Sequence, residues 1–445
     1  MDSADEDEPL KKKKKHRRSP KNGGRNGFND YPNAPIDTIE NPYEPGSACP
    51  CCSQGKLYEG EDRQGIQYDA NPLISVKRHR KKVLRCNACG QEQVPNKSVP
   101  RHSNEAKSAV VIERALGMPL NRLSRLQNLF GVPVPQSTLW LMAKELWDSV
   151  GSAVFNALYQ SAQGGIIFGG DDTTARIREI QKRYESGEKI RKGCYTSSIC
   201  TQLHGHEIIL YFTANKYLAE NFSGLLAQRE DEDKTIVSLM ADASSNNDPK
   251  LTWVILGYCL VHGRRKFVEL LSSSPEECKY FLDQIAQIYK NEKSTKNMTA
   301  KERQAYHHKN SLPILRAMYR EMIRLFREKR VEPNSSLGKA FNYWLKRRYG
   351  FGAFTRIPGF PLDNNAVERS LRPIAMGRKT SLFFMTLVSA DIWSGLFSLV
   401  FTCERNGINA YQYLNWLQKN RLAASRNPEK FLPWHFIIET ERIAA

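Results

Sequence analysis

The stretch that most restricts the fold runs from GGIIFGGDDTT, beginning at Gly164, to TIVSLMADA around Asp242. It holds short β-rich runs bounded by Gly, Asn or charged residues. These are IIFGG ahead of Asp171, a hairpin-like pair CYTSSICTQL and EIILYFT joined at HGH, and TIVSLMA ahead of Asp242. A helical segment, KYLAENFSGLLAQRE, precedes the last of them. Strands interrupted by a helix predict a mixed α/β sheet. Two of the runs end in an acid, and strand ends in such sheets are where ligand-handling groups gather. Taken singly, each aspartate is better read as a turn former or helix cap.

The flanks read as helix. Residues 103–158 carry AVVIERAL, LNRLSRLQNLFG and QSTLWLMAKELWDSVGSAVFNAL, with Ser137 and Thr138 expected as caps before a face of Leu139, Leu141, Met142 and Leu146. The helix, turn, helix arrangement around GVPVPQST is either a DNA-reading unit or ordinary amphipathic packing. After Cys259 the chain again reads as helix to about Tyr349, with Lys and Arg on many turns (RRKF, RAMYREMIRLFREKR, WLKRRYG) and a loop and helix start in NEKSTKNMTAKERQ. Such turns are either solvated faces or a surface that tracks phosphates.

DNNAVERSLRP, Asp363 to Pro373, puts one carboxylate among amides and guanidiniums. Val367 and Leu371 make an apolar face, and Asn364, Glu368 and Arg372 the opposite one. Pro373 is expected to stop the helix. Glu368 is then either paired with Arg369 or Arg372 on the surface or a metal-holding carboxylate whose partners lie elsewhere. The last helical pattern, with Trp393, Phe397, Phe401, Tyr411, Tyr413, Leu414 and Trp416, is expected to cover the sheet.

Five of the ten cysteines fall between Cys49 and Cys89. CPCC (Cys49 to Cys52) and CNAC (Cys86 to Cys89) are two CxxC knuckles across a longer, partly β-like excursion, the pattern of a tetrahedral structural zinc site. Cys49, Cys52, Cys86 and Cys89 are the expected ligands, with Cys51 an alternative to Cys52. Such clustering points to metal binding in a reducing compartment instead of disulfides.

Charge narrows the partner. The net charge is +19, and the first 25 residues, an acidic block then a basic block, hold nine Lys/Arg against five Asp/Glu. The excess therefore belongs to the body of the chain and points to a polyanion. The tail reads as disordered. No apolar run approaches the roughly 20 residues of a membrane span, and no signal-peptide segment is evident. The expectation is a soluble, cytoplasmic protein with no membrane partner.

DNNAVERSLRPIAMGRKTSLFF followed by SLVFTCERNGINAYQYLNWL resembles the C-terminal part of the IS66 family of bacterial transposases, and the likeness extends over most of the chain after about Cys49. In that family a D[ED]T motif carries the first acid, matched by Asp171 in GDDTT. The second, Asp242, precedes a C-x-x-H-x-R-R-K-F string, matched by Cys259, His262, Arg264, Arg265, Lys266 and Phe267; a glutamate in an NNxxER context, matched by Glu368, closes the triad. Lys379 is followed by Thr380 where the family usually has Asn, and the family's usual longer N-terminal segment is not evident.

The resemblance implies an RNase H-like mixed sheet, with a helical insertion between the second and third acids, behind a zinc ribbon and a helical linker domain. It divides the chain into a charged tail and linker (1–45), zinc ribbon (46–100), helical segment (101–160), first part of the core (161–258), insertion (259–355), second part of the core (356–425) and C-terminal tail (426–445). It implies two Mg²⁺ or Mn²⁺ ions on Asp171, Asp242 and Glu368, since three hard oxygen donors suit those cations. DNA contacts are expected from Arg264, Arg265, Lys266, Arg369, Arg372, Arg378 and Lys379, and positioning roles from His262, Asn364 and Asn365. The expected partners are double-stranded DNA at element ends and target, further copies of the chain in a synaptic complex, and accessory proteins of the same element, in a bacterial cytoplasm at the nucleoid. The competing readings are a zinc-ribbon DNA-binding protein with a repurposed nuclease domain, and an RNase H-like nuclease that does not transpose.

Overall fold

The computed structural model describes residues 41–59 and 72–436, apart from residues 53, 86, 88, 90, 97, 228 and 230–234, together with Asn29 and residues 36–38. The charged tail, the GIQYDAN run, Cys86 and the last nine residues lie outside them. The chain forms two compact units, residues 1–71 and 72–445. In the first, Ala48 bridges Lys56 and the Cys49 amide donates to the Gly55 carbonyl at 2.8 Å, so residues 49–52 form a tight knuckle.

The second unit opens with a small antiparallel pair, β1 (Leu84–Arg85) and β2 (Glu92–Gln93). Helices α1 (Asn104–Ala115), α2 (Leu120–Leu129), α3 (Gln136–Leu146) and α4 (Ser152–Gln163) follow, the last two joined by a wider turn. Ser103 caps α1 by accepting from the Ala106 amide at 3.1 Å. The caps expected at Ser137 and Thr138 are not there: α3 starts directly after Pro135 with no side-chain cap. Its first residues are exposed, and water can serve their amides. Leu139, Met142 and Leu146 are buried, whereas Leu141 is exposed.

The main sheet has five strands in the order β5-β4-β3-β6-β7: β3 (Ile167–Ala175), β4 (Cys194–Leu203), β5 (His206–Ala214), β6 (Val237–Ala241) and β7 (Val254–Tyr258). β3, β4 and β5 are antiparallel, and β6 and β7 run parallel to β3. The β4–β5 hairpin turns on His204 and Gly205, at φ 50° and 85°, the left-handed pair that a two-residue loop requires. Helix α5 (Arg178–Glu185) follows β3 and α6 (Leu218–Ala227) precedes β6. β3 is longer than its sequence signal: Asp171 sits inside the strand, not at its end.

Six helices separate β7 from the last part of the chain: α7 (Leu260–Val268), α8 (Pro275–Ser294), α9 (Ala300–Asn310), α10 (Leu312–Arg327), α11 (Ser336–Lys346) and α12 (Arg348–Phe351). Thr299 and Glu302 form a capping box that starts α9. Stacked rings from α7, α8, α11 and α12 fill their core, with Phe267 on Phe281 at 4.8 Å and Trp344 on Phe351 at 4.2 Å.

The chain then returns to the sheet through α13 (Asn365–Thr380), α14 (Leu387–Arg405), α15 (Ala410–Lys419) and α16 (Arg421–Arg426). Pro373 does not stop α13 but lies within it. Its ring removes a bond to the carbonyl of Arg369, an exposed position where water can take over.

Helix α14 lies along the open edge of β5. Ser398, Thr402 and Asn406, four residues apart, accept from the amides of Tyr211, Ile209 and Glu207 at 2.8, 3.1 and 3.1 Å. Contrary to the sequence expectation, α14 is long and apolar enough by composition to cross a membrane, but it is a core helix, mostly buried against the sheet. Trp393, Phe397, Phe401, Tyr413 and Leu414 are buried as expected; Tyr411 is 38% exposed and points away.

Candidate active site

The register of the sheet and the seat of α13 place the acids. Gly169 of β3 pairs with Met240 of β6 in parallel, so Asp171 and Asp242, two residues further on in each chain, stand level on neighbouring strands. Helix α13 rests on β3 at the two glycines before Asp171. A Cβ on Gly169 would lie 2.4 Å from Val367 Cγ2, and the Asn364 side-chain amide donates to the Gly170 carbonyl at 3.0 Å. That seat sets Glu368, in the first turn of α13, over the same face as Asp171.

Among the described residues, Asp171 accepts only from the adjacent Asp172 amide, at 2.8 Å. Burial pushes its carboxyl up to about 7; the Asp172 amide opposes the rise, and the charges of Asp242, Glu368 and Asp172 add to it. Asp172 points to the other face, where Ser197 Oγ donates to it at 2.6 Å and the Leu218 amide at 2.8 Å. Burial raises it to about 6 despite those bonds. Asp242 accepts from the Ser244 amide at 3.3 Å and from the Asn247 side chain, both on Oδ1.

His262 of α7 brings Nδ1 to 4.0 Å from Glu368 Oε1, outside hydrogen-bond reach. This nitrogen and Asn364 Oδ1 are buried without a hydrogen-bond partner. Donor atoms of Cys259, His262 and Glu368 lie within 4.8 Å of one another. Cys259 Sγ accepts from the Asn364 amide at 3.3 Å, and burial pushes its thiol up, which disfavours the thiolate a soft metal needs. Cys259 therefore ties α7 to the start of α13, while the carboxylates offer the hard oxygen set that Mg²⁺ or Mn²⁺ takes. Orphaned polar atoms and mutually repelling carboxylates fit a cation among them.

The remaining candidates divide. Arg264, Arg265, Lys266, Arg369, Arg372 and Lys379 are exposed. Arg378 is turned inward, donating to Thr173 Oγ1 at 3.2 Å and the Thr174 carbonyl at 2.5 Å, so it clamps α13 to β3. Asn365 donates its amide to Asp363 Oδ1 at 3.1 Å. Cys49 is half-buried; Cys51, Cys52 and Cys89 are exposed. The Gly55 and Gln54 amides, with Cys49, draw the Cys52 thiol down, the direction a metal ligand needs.

Sequence reading missed two groups from the helices after β7. Arg347 donates to the Ala243 carbonyl at 3.3 Å and stacks on Tyr343 at 4.4 Å. Burial raises the Tyr343 hydroxyl to about 12, with Arg347 opposing and Asp242 adding, which sets both beside the second acid. The only signal was basicity in WLKRRYG.

A family model described as Transposase IS66 family matches residues 104–392. The chain belongs to the IS66 family of transposases. Membership implies a DNA-processing enzyme, with DNA as its partner. Three proteins of Sinorhizobium fredii, each described as uncharacterized, are similar to this IS66-family chain. Protein y4jD is 25% identical, covering 88% of this chain and 79% of its own; y4hP is 24% identical, covering 83% and 70%; and y4qI is 24% identical, covering 91% and 76%. The matched region takes in all three acids and the helices between them.

Proposed function

We propose that the chain is a DDE transposase that cuts DNA at the ends of a mobile element and joins the freed 3′ ends to target DNA. What supports this reading is the level register of Asp171 and Asp242 and the seat of the Glu368 helix on the strand that carries Asp171, with both charges adding to the burial that raises Asp171. Three antiparallel strands followed by two parallel ones, with the first acid on the central strand, support an RNase H-like core.

Asp171, Asp242 and Glu368 would hold two Mg²⁺ or Mn²⁺ ions. When bound, such ions activate a water or 3′ hydroxyl and steady the leaving oxygen of a phosphodiester. The chain's own contribution is positioning. Asn364 and the glycine seat fix the entry of α13, Arg378 fixes its far end, and Asn247 holds one oxygen of Asp242. His262, 4.0 Å from Glu368 and not bonded to it here, would orient that carboxylate once the two close on a bound cation, and Arg347, with exposed Arg264, Arg265, Lys266, Arg369, Arg372 and Lys379, gives the phosphate backbone a basic bed. A structural zinc on the CxxC knuckles that precede this core in the sequence would make a ribbon that adds DNA affinity. Copies of the chain would pair two ends in a synaptic complex, with accessory proteins of the same element.

Glu368→Gln keeps the side chain's shape and removes its charge. In an assay with DNA from the element's ends and Mn²⁺, it should abolish strand cleavage and leave DNA binding intact. Cleavage at the native rate by this variant would refute the assignment.

A further inference from the structure

A second DNA-facing feature lies at the far end of β3. We infer that the loop between α13 and α14, Ser381 to Met385, holds an unpaired nucleobase of the DNA bound at the acids. The inference rests on the reading of those acids as a cleavage centre. Leu382, Phe383 and Met385 are 59%, 43% and 60% exposed, a run of large apolar side chains that folding alone leaves uncovered.

The loop is fixed in place. Phe384 donates its amide to the Arg176 carbonyl at 2.8 Å, Arg178 donates to the Phe384 carbonyl at 2.9 Å, and Glu179 to the Met385 carbonyl at 3.1 Å. It therefore extends β3 by a short parallel rung, through Ile177 and Phe384. A rigid platform loses little freedom when something stacks on it.

Its surroundings choose the occupant. The Arg178 guanidinium lies over the Phe383 ring at 5.1 Å, and among the described residues no second aromatic ring lies against Phe383. Arg176 and Arg178 are exposed beside the loop, while Arg114 is buried under it against Phe384, Trp393 and Phe397 and Arg378 is held by Thr173 and Thr174. The nearest carboxylate on this rung, Glu179, is engaged by the Leu387 amide at 2.8 Å. An apolar, aromatic surface flanked by the exposed guanidiniums of Arg176 and Arg178 suits a base with its phosphates, since bases stack on aromatic faces while the backbone follows positive charge. It is a poor match for an apolar protein segment, which would bury those charges.

Position gives the register. Ile177, which the loop bridges, lies six residues beyond Asp171, about 20 Å along the chain, or roughly six nucleotides of one DNA strand at its ordinary spacing. A base reaching the loop would be one several positions from the scissile phosphate. Taking it out of the stack would hold the strand end in line.

The test compares the full-length chain's affinity for a blunt DNA duplex and for the same duplex with its last several pairs mismatched, one unpaired base being 2-aminopurine. The native chain should bind the mismatched duplex roughly 5- to 150-fold more tightly, the range that one base on one aromatic ring contributes, and quench the probe. Phe383→Ala should remove that preference and the quenching without changing affinity for the blunt duplex or the melting temperature, and Phe383→Trp should restore both. Equal affinity for the two duplexes, or an unchanged preference in Phe383→Ala, overturns the inference. So does a loss of self-association in Phe383→Ala with the DNA preference intact, because the loop would then be a protein contact. These outcomes leave the acid assignment standing, whereas normal cleavage by Glu368→Gln removes that assignment whatever Phe383 does. Failure to bind either duplex counts against both.

Discussion

Asp171 and Asp172 are neighbours on the central strand, both enclosed, and they face opposite sides of the sheet. Burial raises both carboxyls, one to about 7 and the other to about 6. On the α6 side the fold satisfies its acid: Ser197 and the Leu218 amide take one oxygen each of Asp172. On the α13 side it supplies one adjacent amide to Asp171 and surrounds it with further negative charge. Enclosure alone does not separate the two residues. The difference lies in what the protein leaves unmet: each oxygen of Asp172 has a donor, whereas Asp171 Oδ2 has none among the described residues.

The sharpest way to break this contrast is to neutralise each acid in turn. Asp171→Asn should abolish cleavage while leaving thermal stability unchanged or slightly higher, because it removes like-charge repulsion. Asp172→Ala should leave cleavage per folded molecule largely intact and lower stability by about 1–3 kcal/mol, the cost of stranding the Ser197 and Leu218 donors. Denaturant melts beside a cleavage assay check both. Full stability with lost cleavage in Asp172→Ala would erase the distinction.

The glycines offer the same comparison at lower stakes. A Cβ on Gly169 would strike Val367 and lift the Glu368 helix, whereas one on Gly170 would strike Leu218 on the other face. Both alanine variants should lose about 1–3 kcal/mol of stability through overpacking. Cleavage by the folded fraction should fall about 100-fold only for Gly169→Ala, since a shift near 1 Å at the acids is that costly. Smaller again is His262→Ala, which should cut cleavage about tenfold, the low end for a residue that orients a ligand. A separate readout is stability against pH. A carboxyl whose native pKa lies above its unfolded one binds more protons when folded, so without metal the protein should lose stability as pH rises from about 4 to 7. Added Mg²⁺ or Mn²⁺ should reverse the loss in the native chain and not in Asp171→Asn; an equal response in both would remove Asp171 from the cation's surroundings.

The sheet was legible because its strands are β-branched runs with clear boundaries, and the HGH turn carried the glycine its hairpin needs. The α13 face of Val367 and Leu371 was legible from spacing. Pro373 misled because a proline's cost depends on whether its orphaned carbonyl meets water, which sequence does not display. Ser137 and Thr138 misled because exposed amides need no cap. The length of β3 past Asp171 was hidden by Asp and Thr, which satisfy a strand only because Ser197 and Arg378 wait across it. Arg347 and Tyr343 were out of reach for a different reason: their approach to Asp242 depends on how helices after β7 fold back, and no local pattern encodes that.

The helix laid along β5 has a consequence for how copies of this chain can meet. Its hydroxyls and the Asn406 amide group occupy alternate donors of the outermost strand, so that rim is closed to any visiting strand. Two subunits bridging a pair of DNA ends would have to join through side chains or through the nucleic acid itself, and not by extending the sheet from one molecule into the next along this border.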